Sequence, residues 1–113
     1  MLDSISCRAS KTNERRSFSV IKSPRYLTRG VNDTLPLQLQ VFIWNCIDRL
    51  PDERDYLQVF RLKPFGDMQQ IKHTAEEPEY HKIYLIPSDN PITEIIYVID
   101  DDDHTTMLLA EEY

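Results

Sequence analysis

The stretch Glu94-Ile95-Ile96-Tyr97-Val98-Ile99 predicts a β-strand, because its β-branched and aromatic side chains favour an extended backbone. Alternate residues of a strand point to opposite faces. Ile95, Tyr97 and Ile99 therefore share one face, and Ile96 and Val98 share the other. Since both faces are apolar, we predict a central strand that is covered on both sides.

Four further segments have the same extended character, and turn sequences separate them. Pro64-Phe65-Gly66-Asp67 is typical of a hairpin connection, and Pro87-Ser88-Asp89-Asn90-Pro91 is typical of a turn. We expect an additional edge strand at Arg25–Arg29. The other predicted strands are Tyr56–Lys63, Met68–Thr74, Lys82–Ile86 and Thr106–Ala110.

One amphipathic helix is predicted between Thr34 and Pro51. Thr34 is a suitable N-cap, and Pro36 lies in the first turn, where its missing N–H is tolerated. Pro51 ends the helix, because the residue before a proline disfavours helical backbone angles. Apolar residues recur along one face with helical periodicity: Leu35, Leu39, Phe42, Ile43, Cys46, Ile47 and Leu50.

These segments predict an α+β domain with the element order β-α-β-β-β-β-β. The connections after the helix are too short for parallel crossovers. We therefore expect an antiparallel sheet of about five or six strands with one main helix packed on a face.

The charge distribution divides the chain into a basic start and an acidic remainder. Residues 1–30 carry seven Lys and Arg against two Asp and Glu, a net +5, and residues 31–113 carry six against seventeen, a net −11. Residues 1–23 are predicted to form a basic, Ser/Arg-rich flexible arm, and residues 24–113 a single α+β domain. No apolar run suits a secretory signal or a membrane span, so we expect a cytoplasmic protein.

The scarcity of glycine excludes several kinds of enzyme site. Gly30 and Gly66 are the only glycines, whereas a dinucleotide fingerprint, a phosphate-binding P-loop and a nucleophile elbow each need two or more at fixed spacing. The sequence also lacks C-x-x-C and H-E-x-x-H motifs. We expect no catalytic residues, no cofactor and no bound metal.

A zinc site is the metal centre that the histidines suggest. His73 and His81 fall on neighbouring predicted strands, with Cys46 on the helix, but their spacing matches no standard site. Cys46 lies on the core face of the helix, where a thiol is usually inert. An enzyme would instead require His73, His81 or His104 to share a pocket with a carboxylate.

A second apolar stripe runs down the outer side of the predicted helix. Leu37, Val41 and Trp44 stand at i, i+4 and i+7, about 150° from the centre of the main face. Either the arm or the strand Arg25–Arg29 folds over this stripe, or the stripe binds a protein partner or a second copy. Tryptophan is frequent at the energetic centres of protein interfaces.

The run Asp100-Asp101-Asp102-Asp103 admits three interpretations: a solvated hairpin tip, an acidic patch that binds a partner, or a site for a hard cation. The spacing fits no EF-hand. Carboxylates on alternate residues of a strand lie about 6–7 Å apart, which resembles the spacing of phosphates. Other acids could extend such a patch: Asp52, Glu53, Asp55, Glu76, Glu77, Glu79, Glu94, Glu111 and Glu112.

Three segments resemble a known family: Arg25-Tyr26-Leu27-Thr28-Arg29-Gly30-Val31, Asp55-Tyr56-Leu57-Gln58-Val59-Phe60, and Tyr97–Asp101 together with Thr106–Tyr113. Glu77-Pro78-Glu79-Tyr80 also fits. The chain is similar over residues 24–113 to a small domain-of-unknown-function family, nine-sixty in the usual numbering. The resemblance implies a Gram-positive bacterial source, often on mobile elements, and no function. This chain differs from the family pattern in two places. Residues 1–23 form an extension that family members generally lack, and Asp102 and Asp103 stand in a turn where relatives often have glycine.

The leading hypothesis is a non-enzymatic, acidic interaction protein that binds a protein partner or itself. It would use Leu37, Val41 and Trp44, the acidic surface, or both. One alternative is an inhibitor from a mobile element that mimics nucleic acid and blocks a host nucleic-acid-binding or defence (CRISPR-type) protein. The other alternative is a small metal-binding or hydrolytic enzyme. We expect no direct binding of nucleic acid by the domain and no membrane association.

Overall fold

The computed structural model describes residues 24–101 and 103–113. The predicted arm, residues 1–23, and Asp102 lie outside the described residues. The elements in chain order are β1 (Arg25–Leu27), α1 (Arg29–Thr34), α2 (Leu37–Asp48), β2 (Leu57–Phe65), β3 (Met68–Ala75), β4 (Tyr80–Pro87), β5 (Glu94–Asp100), β6 (Thr105–Leu109) and the 3-10 helix η1 (Ala110–Glu112).

The six strands form one sheet in the order β1-β6-β5-β2-β3-β4, and α2 packs on one of its faces. The α+β class is therefore confirmed. The prediction of an antiparallel sheet was only partly correct, because β1 runs parallel to β6. The chain leaves β1 through two helices rather than through a hairpin turn, and a long connection permits a parallel partner. The remaining pairs are antiparallel.

The predicted helix corresponds to α2, and the short helix α1 before it was not predicted. Leu35 has extended backbone angles (φ −94°, ψ 127°), so α1 ends at Thr34 and α2 begins at Leu37. The physical reason is Pro36, which disfavours the helical region for the residue before it. Pro36 is thus the N-cap of α2 rather than a residue of its first turn. α2 ends at Asp48, although Leu50 still packs in the core.

The core is a single layer between α2 and the sheet. Ile43 and Ile47 of α2 meet Phe60, Ile71 and other residues on alternate positions of the strands. The prediction of double coverage for β5 was wrong within the described residues, because Ile96 and Val98 are buried but Ile95 is 41% exposed. The two α-helices both contribute buried residues to this same core, so neither of them covers the other face of the sheet, which we call the open face.

The end of the chain is held against the start of α1. The Glu112 carboxylate accepts hydrogen bonds from the Thr28 hydroxyl (2.6 Å) and the Leu109 N–H (2.9 Å). The first of these contacts is the main reason that the pKa of Glu112 is lowered. Thr28 in turn caps α1 by accepting from the Val31 N–H. A Cβ at Gly30 would lie within 2.6 Å of the carboxylate, which explains a glycine there.

Thr28→Ala is expected to lower the free energy of unfolding by about 1 kcal/mol, because it removes an N-cap. Urea unfolding measures the loss. If the cap and the C-terminal contact act together, Thr28→Ala combined with Glu112→Gln will be less destabilising than the sum of the two changes. Thr34→Ala at the other end of α1 is the control, and an equal loss there would contradict the capping role.

Candidate interaction surfaces

The outer side of α2 carries the predicted apolar stripe in an exposed position. Leu37 is 73% exposed and Val41 is 48% exposed, whereas Trp44 is half-buried against the core. The opposite side of the same helix supplies Leu39, Ile43 and Ile47 to the core. Leu37 and Val41 therefore contribute little to the packing of the described domain.

Strand β1 covers part of Trp44. The Arg25 guanidinium lies 4.8 Å from the centre of the indole ring and forms an ion pair with Asp48. A cation over an aromatic face is favourable and holds the ring in place. Of the predicted strand Arg25–Arg29, the Arg25 side chain thus covers Trp44, whereas Leu37 and Val41 stay exposed.

The aspartate run is divided between two roles at the β5–β6 hairpin tip. Asp100 ends β5, where it contacts Arg54 (3.3 Å) and accepts from the Thr105 hydroxyl (3.0 Å). Asp101 and Asp103 both contact the His104 ring, at 3.3 and 2.6 Å. The bond to Asp103 is the main reason that the pKa of His104 is raised, and the pKa of Asp103 is lowered in return.

The topology collects acidic residues at one end of the sheet. Strands β2, β5 and β6 and the β3–β4 turn meet there, as the register pairs Leu57 with Ile99 and Ala75 with Tyr80. Asp55 joins two of these segments by accepting from the Glu76 and Glu77 N–H groups. Ten described acids belong to this acidic end: Asp48, Asp52, Glu53, Asp55, Glu76, Glu77, Glu79, Asp100, Asp101 and Asp103.

Three of the acids that the sequence suggested as extensions of the patch lie elsewhere. Glu94 begins β5 at the opposite end of the sheet, and Glu111 and Glu112 follow β6 there. The acidic end borders the apolar stripe, because Arg25 contacts both Trp44 and Asp48. The structure thus places one part of the stripe beside the acids, which sequence spacing did not predict.

The histidines do not come together. His73 lies on the helix side of β3 and is fully buried, whereas His81 pairs with Thr74 and points to the open face. Cys46 is buried on the helix side, and burial is the main reason that its pKa is raised. In residues 24–101 and 103–113, no group of three or more His, Cys, Asp or Glu side chains is arranged to hold a metal ion.

The open face of the sheet carries a group of cations that sequence reasoning missed. Arg61 and Lys63 alternate on β2, and Lys72 stands directly opposite Arg61 on β3. The period-2 placement between buried Phe60 and Leu62 was the available signal, because it assigns both β2 cations to the face away from the core. The open face is the side of the sheet that faces away from α2. Every second residue of each strand lies on it, in register with Arg61 on β2 and Lys72 on β3.

Comparison with known proteins gave a family match and a similar solved structure. The profile of a family described as staphylococcal protein of unknown function (DUF960) matches residues 24–112. A crystal structure of a protein of unknown function from Enterococcus faecalis superimposes with a TM-score of 0.70 at 24% identity, covering 80% of this chain and 91% of that one. A search of the curated proteins found no match. Within the described residues, none of the helices has the length and apolar character needed to cross a membrane.

Proposed function

The chain belongs to the DUF960 family of staphylococcal proteins of unknown function, and we propose that it is a non-enzymatic interaction protein that binds a protein partner. The contact surface comprises the apolar stripe Leu37, Val41 and Trp44 together with the acidic end. The proposed setting is the cytoplasm of a Gram-positive bacterium or of a cell that carries its mobile elements. The activity requires no cofactor.

The observation that carries this proposal is the exposure of Leu37 and Val41 on a helix whose other side forms the core. Burial of apolar surface is the main favourable term in protein association. Half-buried Trp44 continues the stripe and is held by Arg25, so that little side-chain freedom is lost when a partner covers it.

The acidic end adds a requirement on the partner's charge. Ten carboxylates lie at that end of the sheet, and Trp44 adjoins it through Arg25 and Asp48. A partner with an apolar contact patch bordered by Lys and Arg would complement both parts of the surface. Charge complementarity of this kind raises the rate of association and weakens as salt is added.

A double variant, Leu37→Ser with Val41→Ser, tests the stripe. Affinity purification from the native host, followed by mass spectrometry, identifies candidate partners of the wild type. We expect the double variant to weaken binding of the true partner at least tenfold, since each lost apolar contact contributes about 1 kcal/mol. Trp44→Ala is a poorer test, because Trp44 also packs against the core.

Gln38→Ser with Asn45→Ser is the matched control, because both side chains are exposed on the same helix. This variant should bind as the wild type does. If the same partners bind all three proteins with equal affinity, the stripe is not the contact surface. Sedimentation equilibrium of the three proteins distinguishes a second copy from a different partner, since only self-association would change with protein concentration.

A nucleic-acid mimic is a second candidate, and the collection of ten acids at one end of the sheet favours it. In that case the target is a host protein that binds nucleic acid, and the acidic end occupies its phosphate-binding surface. Competition between the chain and DNA for the captured partner should decrease steeply between 50 and about 300 mM salt.

Reversal of three exposed acids tests this candidate. Asp52→Lys, Glu53→Lys and Glu79→Lys together should abolish competition with DNA. The control is Asp33→Lys, Asp67→Lys and Asp89→Lys, which changes the net charge equally away from the acidic end. Equal loss in both triple variants would show that net charge alone matters, and competition that does not depend on salt would exclude the mimic.

A further inference from the structure

The open face of the sheet carries a group of positive charges, although the domain as a whole is acidic. Residues 24–113 contain eight Lys and Arg and seventeen Asp and Glu, a net −9. The side chains that the register assigns to the open face nevertheless include three cations and no acid. The three cations are Arg61, Lys63 and Lys72.

The cations are placed unfavourably for the isolated domain. Arg61 and Lys72 stand directly opposite each other on β2 and β3, and like charges at such positions destabilise a sheet. Arg61 donates to the Thr74 hydroxyl (3.2 Å), and Lys63 and Lys72 form no ion pair with any other residue that the structure describes. A ligand that carries negative charge would relieve this repulsion.

The surroundings of the cations are mainly aliphatic. Ile83 is 50% exposed, Leu85 is 45% exposed and Ile95 is 41% exposed, and all three share the open face. A surface that binds single-stranded nucleic acid would instead place aromatic rings among the cations for base stacking. Here Phe65 lies at the end of β2, and Tyr97 packs against Tyr113 (ring centres 5.5 Å apart).

A groove on this face indicates where the ligand's charges would lie. Arg61, Lys63 and Lys72 line it together with Gln70, while Glu94 and Glu111 line it beside Ile95. The positive part of the groove therefore lies over β2 and β3, and the two carboxylates lie on the β5 side. An acidic ligand would place its carboxylates over β2 and β3.

We propose that the open face binds an acidic amphipathic helix from a protein partner, with the helix carboxylates on Arg61, Lys63 and Lys72 of β2 and β3 and its apolar side on Ile83 and Leu85 of the neighbouring strand β4. This site is on the side of the sheet opposite α2. It is therefore independent of the surface assigned to the proposed function, and the chain could hold two proteins at once.

The dimensions of the face suit one helix. Three strands, from β2 to β4, span about 10 Å, and a helix with its side chains is about 10–12 Å wide. Carboxylates one helical turn apart are separated by about 5–6 Å, close to the spacing of about 6–7 Å between Arg61 and Lys63 along β2. The bound helix would form a third layer over β2, β3 and β4.

A random library of 16-residue peptides displayed on phage provides the probe, with the full chain as the target. We expect enriched peptides to combine Asp and Glu with apolar residues at helical spacing. Their affinities are then measured by fluorescence anisotropy. The triple variant Arg61→Glu, Lys63→Glu, Lys72→Glu should weaken binding at least tenfold, and the corresponding Gln variant should weaken it by a smaller factor.

Arg29→Glu, Arg49→Glu and Lys82→Glu form the matched control, because these exposed cations lie off the open face and the net charge changes equally. Binding within twofold of the wild type is expected for this control and for Leu37→Ser with Val41→Ser. The proposal is overturned if the enriched peptides are neutral or basic, or if the control triple weakens binding as much as Arg61→Glu, Lys63→Glu, Lys72→Glu does. It is also overturned if oligo(dT) displaces the peptides, or if sedimentation shows that a second copy occupies the face.

Discussion

Gln69→Leu is expected to lower the free energy of unfolding by about 3 kcal/mol, because it leaves buried backbone groups without hydrogen-bond partners. Gln69 is fully buried. Its amide N–H₂ donates to the Ile92 carbonyl (3.0 Å), and its carbonyl accepts from the Ile92 N–H (2.8 Å). The side chain thereby pairs with the loop between β4 and β5 as a neighbouring strand would.

Two more bonds complete the Gln69 site, since its amide also lies within donating distance of the carbonyls of Lys63 (3.1 Å) and Gln70 (3.2 Å). Leucine has a similar volume, so the loss should come from the polar groups and not from a cavity. Urea unfolding gives the free energy, and hydrogen exchange should be faster at the Ile92 amide.

Gln70→Leu is the control for this prediction. Gln70 is the next residue along β3 and lies half-buried on the open face. Its replacement should change the free energy of unfolding by about 0.5 kcal/mol or less. Equal losses for the two variants would mean that the Gln69 hydrogen bonds contribute nothing specific.

Acidification from pH 7 to pH 4.5 is expected to remove about 2–3 kcal/mol of stability through His73 alone. Burial lowers the pKa of His73 from 6.5 to about 4. The ring stacks on Phe60, with the ring centres 4.1 Å apart, and lies beside Tyr80 at 4.7 Å. This enclosure excludes the water that would solvate an imidazolium.

The hydrogen bonds of His73 also select its neutral form. The Gln58 amide donates to the Asp55 carbonyl (2.9 Å), so the Gln58 oxygen faces His73 Nε2 at 2.7 Å and requires an N–H there. His73 Nδ1 is buried without a hydrogen-bond partner among the described residues, which suits a lone pair better than a second N–H. Protonation would bury an unpaired donor and a charge.

The direction of the pH effect follows from the lowered pKa. Below pH 6.5 the unfolded chain binds a proton at His73 that the folded chain does not bind until about pH 4. Stability is therefore complete above pH 6.5 and is lost as the pH falls toward 4. The raised pKa of His104 acts in the opposite direction, because its contribution is lost as the pH rises above 6.5.

Urea unfolding at several pH values measures this effect. His73→Leu should flatten the decline in stability between pH 6.5 and pH 4.5, whatever its effect at pH 7. His81→Leu on the open face is the control and should keep the decline of the wild type. The idea fails if the decline is unchanged in His73→Leu, since carboxylates would then account for it.

The strands were predicted well because each depends on local signals. Met68–Ala75 and Glu94–Asp100 each lie within one residue of their predicted bounds, where turn residues and alternating polarity define the ends. The start of the main helix was less accurate and α1 was missed, because Thr34 as N-cap and Pro36 in the first turn also suit a helix that begins at Leu35. Leu35, between α1 and α2, is extended because it precedes Pro36. Residue types alone did not show that this effect would outweigh the tendency of Leu35 to begin the helix.

The candidate surfaces were only partly accessible to sequence reasoning. Helical spacing placed Leu37 and Val41 on the outer side of α2, and the structure exposes both. Pairing between distant residues accounts for what was missed: Arg25 on Trp44, and Arg54 on Asp100. Such contacts join residues that no short-range period connects.

Residue patterns were enough to identify the family, the α+β class and the faces of each strand and helix, because periodicity and turn chemistry act over a few residues. How those faces combine depends on the tertiary structure. Strand register and order brought ten acids to one end of the sheet and set Arg61 opposite Lys72 on the open face. Register and order depend on long-range burial, which is why surface charge could be counted beforehand but not located.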